Sequence, residues 1–278
     1  MHRRAVFPTP SETMPLQMET IGFNHDQEPI HRPEGYPFFH WLQTLEGEGE
    51  LIVQGKAFKL PERSGVLLHP HAQHRYFAKS ATWKTYYVTF TGSLATNLAI
   101  DLHGTFTDKI QWDRNDDEIT SHIEHMLQLA ESGTDASGWK SSAELYRFLT
   151  LLKTNGTKNN LPSLTRRLER VQQLLDWLEI EYANPELGLA MMAEQLDVGE
   201  RQMNERFREL FGQTAYAYLI QLRLRKAKEW LPSRPEWTVR QIGEAVGFRD
   251  ASHFVATFRQ KEGMTPEKYR RLHGFSPL

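Results

Sequence analysis

The strongest constraint on this 278-residue chain is a pattern written twice in its C-terminal third. Met192, Ala193, Leu196, Val198, Met203, Phe207, Gly212, Thr214 and Tyr218 recur as Ile242, Gly243, Val246, Phe248, Phe254, Phe258, Gly263, Thr265 and Tyr269. The offset is 50 residues as far as Phe248 and 51 from Phe254 onward, so the second copy carries one extra residue at its turn. Each copy reads as a short helix, a tight turn, a second helix and a Gly-X-Thr exit. That is a helix-turn-helix in duplicate, and it points at duplex DNA.

In the first copy, 189–196 is a short amphipathic helix. Asp197 falls where the turn needs a positive φ, which Gly prefers and Asp tolerates. Val198 buries the turn, Gly199 is a weak N-cap, and the helix from Glu200 to Phe211 faces its core with Met203, Phe207 and Leu210 before Gly212 ends it. The second copy has Gly243 for close helix approach, Gly247 for the turn, Phe248 to plug it and Asp250 as a strong N-cap for 251–261. A single helix over 216–231, with Arg223, Arg225, Lys226 and Lys228, joins the two modules.

The stretches 218–227 (YLIQLRLRKA), 241–248 (QIGEAVGF) and 258–270 (FRQKEGMTPEKYR) strongly resemble the AraC/XylS family of bacterial transcription regulators. The resemblance covers about residues 168–273. It implies that each second helix enters a major groove, the two lying about one DNA turn (~34 Å) apart on one face. Mapped onto this sequence, the first reader offers Arg201, Asn204 and Glu205 to base edges, with Arg208 on the same outer face. Arg pairs naturally with guanine, Asn with adenine, and Glu accepts from cytosine N4. In the second reader the family positions fall on Ala251, Ser252, Val255 and Ala256. Here the chain departs from the family preference for Gln or Arg, because Ala and Val touch only thymine methyls, and looser readout is expected. His253 either packs beside the turn or reaches a phosphate.

The N-terminal half has a different pattern. From 16 to 91 it is aromatic and β-branched, with turn signals at 46–49, 54–56, 61–65 and 69–71, which suggests a small barrel or sandwich of short strands. Gly47-Glu-Gly49, Gly65-Val-Leu-Leu-His-Pro70 and His74 resemble the hairpin-and-return pattern of cupin-type sensor barrels. Tyr36, Phe38, His40, Trp41, His74, Trp83 and Tyr86 are candidates for an effector-binding interior, where flat aromatic faces and a few polar groups suit a sugar or similar metabolite. The alternative is plain barrel core, and strand register decides between the two. Apolar stripes at Ile119, Ile123, Met126, Leu127 and Ala130, and at Leu145, Phe148, Leu149 and Leu152, predict an antiparallel helix pair with surplus apolar surface for a dimer contact.

Composition narrows the chemistry. There is no cysteine, which excludes disulfides, thiolate catalysis and cysteine-ligated metals. Of His31, His40, His69, His71 and His74, His40 has no His two residues away, and His69-Pro-His71 is not followed by a Glu at the distance a cupin metal site needs. No phosphate loop, dinucleotide fingerprint or Gly-X-Ser-X-Gly elbow is present. No signal peptide or membrane-spanning run is visible. Net charge is −2, yet from Glu200 onward 15 basic residues meet 9 acidic ones, a modest excess where phosphates are expected.

The expectation is therefore an α+β multidomain chain. An N-terminal arm (1–15) precedes a cupin-like β-barrel with a helical pair (16–154, the barrel over 16–110 and the dimerisation helices over 112–154). A linker (155–163) leads to an all-α double helix-turn-helix domain (164–278, motifs at about 189–211 and 239–261). The expected function is a cytoplasmic, homodimeric, effector-controlled transcription factor acting on double-stranded DNA, with RNA polymerase as a further partner, no cofactor, no metal and no catalytic residues. The alternative is a metal-dependent cupin enzyme with an accessory DNA-binding domain.

Overall fold

The computed structural model describes residues 2–7, 14–104, 107–113, 117–135, 137–158 and 162–274. The chain runs through β1 (Arg3–Val6), β2 (Gln17–Asn24), β3 (Ile30–Arg32), β4 (Phe39–Val53), β5 (Lys56–Pro61), β6 (Ser64–Leu68), β7 (His74–Thr91), α1 (Ala95–His103), β8 (Lys109–Gln111), α2 (Glu118–Ser132) and α3 (Trp139–Asn155). It continues through α4 (Leu164–Glu181), α5 (Leu189–Glu194), α6 (Glu200–Phe211), α7 (Ala215–Ser233), α8 (Val239–Ala245), α9 (Ala251–Glu262) and α10 (Pro266–His273). Residues 1–166 and 167–278 form two compact units.

The N-terminal unit is built on an antiparallel sheet in the order β1-β2-β7-β4-β6-β8, with β3 added to β7 and β5 to β4. The long strands β4 and β7 pair over both halves, from Phe39↔Phe90 to Thr44↔Thr85 and again from Gly49↔Ala78 to Val53↔His74. Register shifts separate the halves, and such bulges bend a strand and invert its alternation. In β4, His40 and Leu42 face the interior of the curled sheet before the shifts, and Leu51 and Val53 face it afterwards. In β7 the interior set is Tyr76 on one side and Trp83, Tyr87 and Thr89 on the other.

Two apolar layers result. Inside the curl, Leu42, Leu51, Leu60, Val66, Leu68 and Trp83 form one cluster. On the outer face, Phe39, Trp41, Leu67, Val88 and Phe90 pack under the helices with Ile119, Ile123, Met126, Leu127, Leu145, Phe148, Leu149 and Leu152. Each such large side chain contributes about 1.5–3 kcal/mol by leaving water. The stripes of α2 and α3 are thus buried within the protomer against the sheet. They do not form the surplus surface that the sequence suggested for a dimer, because the outward-pointing aromatics of β4 and β7 need covering too.

The structure differs from the sequence expectation at other points. The described part of the expected N-terminal arm is strand β1, paired with β2 from Arg3↔Phe23 to Val6↔Thr20. It is held there because the Arg3 guanidinium bridges Glu124 (2.9 Å) and Glu131 (2.6 Å) on α2, while Ala5 and Phe7 pack on the outer apolar layer. Residues 8–13 of that arm lie outside the described residues. Helix α1 occupies 95–103, beyond the predicted strands but within the span assigned to the barrel. Part of the expected linker is structured as well, since Asn155 ends α3 and Thr157 bridges to Gln111. Residues 159–161 of the linker lie outside the described residues.

Phe148 is fully buried and meets Trp41 edge-on at 5.9 Å. Phe148→Ala is expected to destabilise the N-terminal unit by about 3–5 kcal/mol. Urea unfolding followed by circular dichroism checks this, and an unchanged midpoint would contradict the packing described.

Candidate nucleic-acid interface and binding cavity

Matched local devices present the second helix of each C-terminal module. The turn before α6 carries Asp197 at φ 49°, and the turn before α9 carries Gly247 at φ 93°. At Gly247 a side chain is excluded twice over, since its Cβ would also lie 2.4 Å from the Tyr182 carbonyl oxygen. At Gly243 a Cβ would meet the Phe254 ring at 2.8 Å, so this residue sets how closely α8 approaches α9. The exit threonines are N-caps: Thr214 accepts from the Ala217 N–H (3.2 Å) and Thr265 from the Lys268 N–H (3.3 Å). The copies differ at their entrances. Thr238 and Gln241 form a capping box and Asp250 accepts from the His253 N–H, whereas Gly188 and Gly199 offer no side-chain cap. Each side-chain cap is worth ~1 kcal/mol, so the second module has the firmer local structure.

Helix α7 joins the modules by belonging to both cores. Ala215, Leu219 and Leu222 pack with Met203, Phe207, Leu174 and Leu178. Ile220, Leu224, Ala227 and Leu231 pack with Ile242, Phe254 and Phe258. Between them Arg223 is buried, and its Nε and Nη2 donate to the carbonyls of Tyr182 (2.8 Å) and Asn184 (2.7 Å). Burial pulls its pKa down, so those two bonds are what keep the charge tolerable in place. Arg249, just before α9, donates to the Pro185 carbonyl and pairs with Glu186. The segment 182–186 is thus gripped by the linking helix and by the second module together. Other α7 cations are also engaged: Arg225 and Lys226 pair with Glu179, and Lys228 with Glu262.

Helix α6 turns Arg201, Gln202, Glu205 and Arg208 to solvent. The Arg201 side chain is 92% exposed and its Nε bonds Glu205 Oε1 at 3.0 Å. Asn204, expected among the base readers, is turned inward: its Oδ1 accepts the Ala215 N–H at 3.0 Å and anchors the start of α7. Gln202, which the sequence reading passed over, is exposed instead. The signal existed, because Gln202 is out of phase with Met203 and Phe207. On α9, Ala251, Ser252, Val255 and Ala256 share a shallow concavity with Arg240, Arg259 and Thr265. His253 is exposed, and its ring meets that of Phe248 edge-on at 5.6 Å. Arg259 was not singled out from sequence, although it lies one turn beyond Val255 and Ala256.

The N-terminal unit holds a cavity of about 390 Å³ lined from β1, β2, β3, β4 and β7 and the adjoining loops. Of the expected effector residues, Tyr36 and His40 reach it. His74 stands behind, stacked on Tyr76 at 6.1 Å, and Phe38 meets Tyr36 edge-on at 5.9 Å. Trp41, Trp83 and Tyr86 do not line it. Trp41 and Tyr86 point to the helical layer, where Tyr86 Oη donates to Glu124 (2.7 Å). Trp83 is interior core, its Nε1 donating to Thr44 Oγ1 (2.9 Å). Their places on the cavity wall are taken by Arg4, Thr20, Asn24, Gln27, Glu28, Arg32, Tyr76, Tyr87 and Thr89. Burial, then the charges of Arg32 and His74, hold the His40 pKa well below the usual histidine value. Burial and a hydrogen bond to Glu19 push the Tyr36 hydroxyl up to about 12.

The remaining histidines do not assemble. His40 and His74 stand 6.1 Å apart ring to ring, His69 lies against Phe39, and His71 occupies a left-handed turn. Among the described residues no three His, Asp or Glu side chains are grouped to hold a metal ion, so the cluster required by a metal-dependent enzyme is not formed there.

Comparison with known proteins separates the same two parts. The AraC-like ligand binding domain family matches residues 17–149, and the helix-turn-helix domain family matches residues 192–272. The chain belongs to the AraC family of transcription regulators. The ligand-binding match spans β2 to β8, α2 and most of α3, leaving β1 and its cavity residues outside; the other spans both readers. HTH-type transcriptional activator RhaS from Escherichia coli O139:H28 is 25% identical over 248 residues, covering 86% of this chain and 87% of that protein. RhaS from Escherichia coli K12 (DH10B) is 24% identical with the same coverage. Among solved structures, the C-terminal domain of the two-component response regulator yesN from Fusobacterium nucleatum is 29% identical over 37% of this chain and 98% of its own, with a TM-score of 0.35. ToxT from Vibrio cholerae covers 95% of this chain and 99% of its own at 12% identity, also with a TM-score of 0.35. No helix among the described residues of this regulator is long and apolar enough to cross a membrane.

The clasp on 182–186 generates a prediction. Arg223→Met leaves the Tyr182 and Asn184 carbonyls without their charged donor and is expected to destabilise the C-terminal unit by about 1.5–3 kcal/mol. Hydrogen exchange of the Tyr182, Ala183, Asn184 and Glu186 amides reads the effect directly, and unchanged protection would contradict the role assigned to Arg223.

Proposed function

We propose that this regulator binds a specific duplex site with α6 and α9 in successive major grooves, and that a small polar metabolite in the N-terminal cavity alters that binding. The observation that carries the first part is the repeated, outward-facing second helix, braced identically at turn and exit in both copies. Arg201 suits guanine O6 and N7, and Glu205 suits the cytosine amino group. Arg208, Arg240 and Arg259 suit phosphates. Ala251, Val255 and Ala256 suit thymine methyls, so the second module reads mainly A·T-rich sequence and shape. Asn204 is left out of this reading set, and Gln202 joins it.

The second part is supported by a cavity of about 390 Å³ with aromatic walls and convergent polar groups, within the range of small-molecule sites. Tyr36, Tyr76 and Tyr87 with Thr20, Thr89 and Asn24 suit a sugar or a relative of one. The ligand acts by binding one arrangement of the protein better than another, and its effect is limited by that difference. The reading includes action in the cytoplasm, a homodimer on the operator, contact with RNA polymerase and no catalytic step. With the stripes of α2 and α3 buried, the apolar surface left to a dimer on α3 is Trp139 and Tyr146, both exposed and seven residues apart.

Equilibrium binding to duplexes carrying single base-pair changes tests the base assignments. Arg201→Ala is expected to lose preference at one position, at about 1–3 kcal/mol, and to keep it elsewhere. Uniform weakening on every duplex would show Arg201 to be a phosphate contact only. With six or more phosphate contacts, affinity is expected to fall by about 10³-fold or more between 50 and 200 mM salt; a flat salt response would contradict groove binding by these helices.

A further inference from the structure

The cavity wall has a charge pattern that a neutral sugar does not answer. Arg4 and Arg32 line it, and among the described residues neither has a carboxylate partner within salt-bridge distance. Arg3 lines it too but is already held by Glu124 and Glu131. Among the lining residues, Glu28 is the acid. Glu19 lies close by, with its Oε2 taken by the hydroxyls of Tyr36 (2.7 Å) and Thr89 (2.6 Å). Arg32 lies over the Tyr36 ring, its Cζ 4.3 Å from the centroid, and its Nη1 is buried with no hydrogen-bond partner. His40 is 3% exposed, and its Nδ1 is likewise buried and unpartnered.

Arg32 and His40 thus bring unpaired polar groups to the cavity wall. A buried guanidinium donor with nothing to bond is costly, and a bidentate carboxylate matches its geometry. The open His40 nitrogen then serves a hydroxyl. Tyr76 and Tyr87 add aromatic surface to the wall, which suits the apolar side of a pyranose. The carboxylates of Glu28 and Glu19 beside the two guanidiniums disfavour a second negative charge on the ligand, so a monoanion is favoured over a phosphate dianion.

Building on the reading that a small polar metabolite occupies this cavity, we propose that the effector is a sugar acid, a hydroxylated monocarboxylate of monosaccharide size, with Arg32 as its counter-ion and His40 as a hydroxyl contact. The full-length protein tests this by calorimetric titration with glucose, galactose and mannose, with the corresponding uronates, and with the corresponding 6-phosphates. The expected result is that at least one uronate binds about 10- to 100-fold more tightly than its parent hexose, the range of one charge-assisted contact. Arg32→Met, shown folded by circular dichroism, is expected to abolish the difference. Arg4→Met repeats the test should the first variant unfold.

Neutral hexoses binding as tightly as their uronates would overturn the sugar-acid assignment and leave ligand sensing in the cavity intact. Tighter binding of the phosphates would overturn the monoanion assignment alone. A uronate preference that survives both substitutions would overturn the role of these arginines. Silence from the whole panel would remove the sugar-acid class and the broader carbohydrate reading together.

Discussion

The pairing of β4 with β7 is the constraint on which the N-terminal unit depends. Side chains along a strand alternate between faces, so this ladder fixes which aromatics point to the helices and which to the interior. Phe39, Trp41, Val88 and Phe90 become the bed for α2 and α3, while His40, Tyr87 and Thr89 become cavity wall. The register shifts near Gly47 reverse that alternation partway along, which lets both halves of the same two strands contribute to the inner apolar cluster and to the cavity wall. A slip of one residue would exchange the two sets and destroy both.

In the C-terminal unit the corresponding constraint is a charge buried among carbonyls. Arg223 holds 182–186 from the linking helix, and Arg249 holds the same segment from the second turn. Two readers on one chain are useful only if their separation is fixed, because groove spacing on DNA is fixed. Apolar packing along α7 supplies the adhesion, and the arginine clasp supplies direction, since hydrogen bonds tolerate little sliding. The second module's better caps then support a reader whose own side chains are small and apolar.

Much of this was legible in the sequence, for identifiable reasons. The duplicated pattern gave both helix-turn-helix units because turn, cap and core positions each demand particular residue types. Asp197, Gly247, Asp250, Thr214 and Thr265 sit where local chemistry places them. The stripes of α2 and α3 were visible through their helical period. What local pattern does not encode is partner choice. Asn204 has the chemistry of an adenine reader, yet the adjacent Ala215 amide claims it. Trp41 and His40 are neighbours in sequence and end on opposite faces of the sheet. The cavity's arginines were missed because Arg4 comes from an N-terminal stretch without a strand signature, and Arg32 from a three-residue strand. β1 exists only through its contacts with β2 and α2.

The central claim is that one chain reads two successive major grooves with unequal precision. In vitro selection of random duplex DNA by the full-length protein, at near-physiological salt, tests it most directly. The account predicts an enriched motif with two blocks about one helical turn apart, sharp under α6 with guanine and cytosine positions, and A·T-biased and looser under α9. A single block, or retention of DNA without any motif, would contradict it.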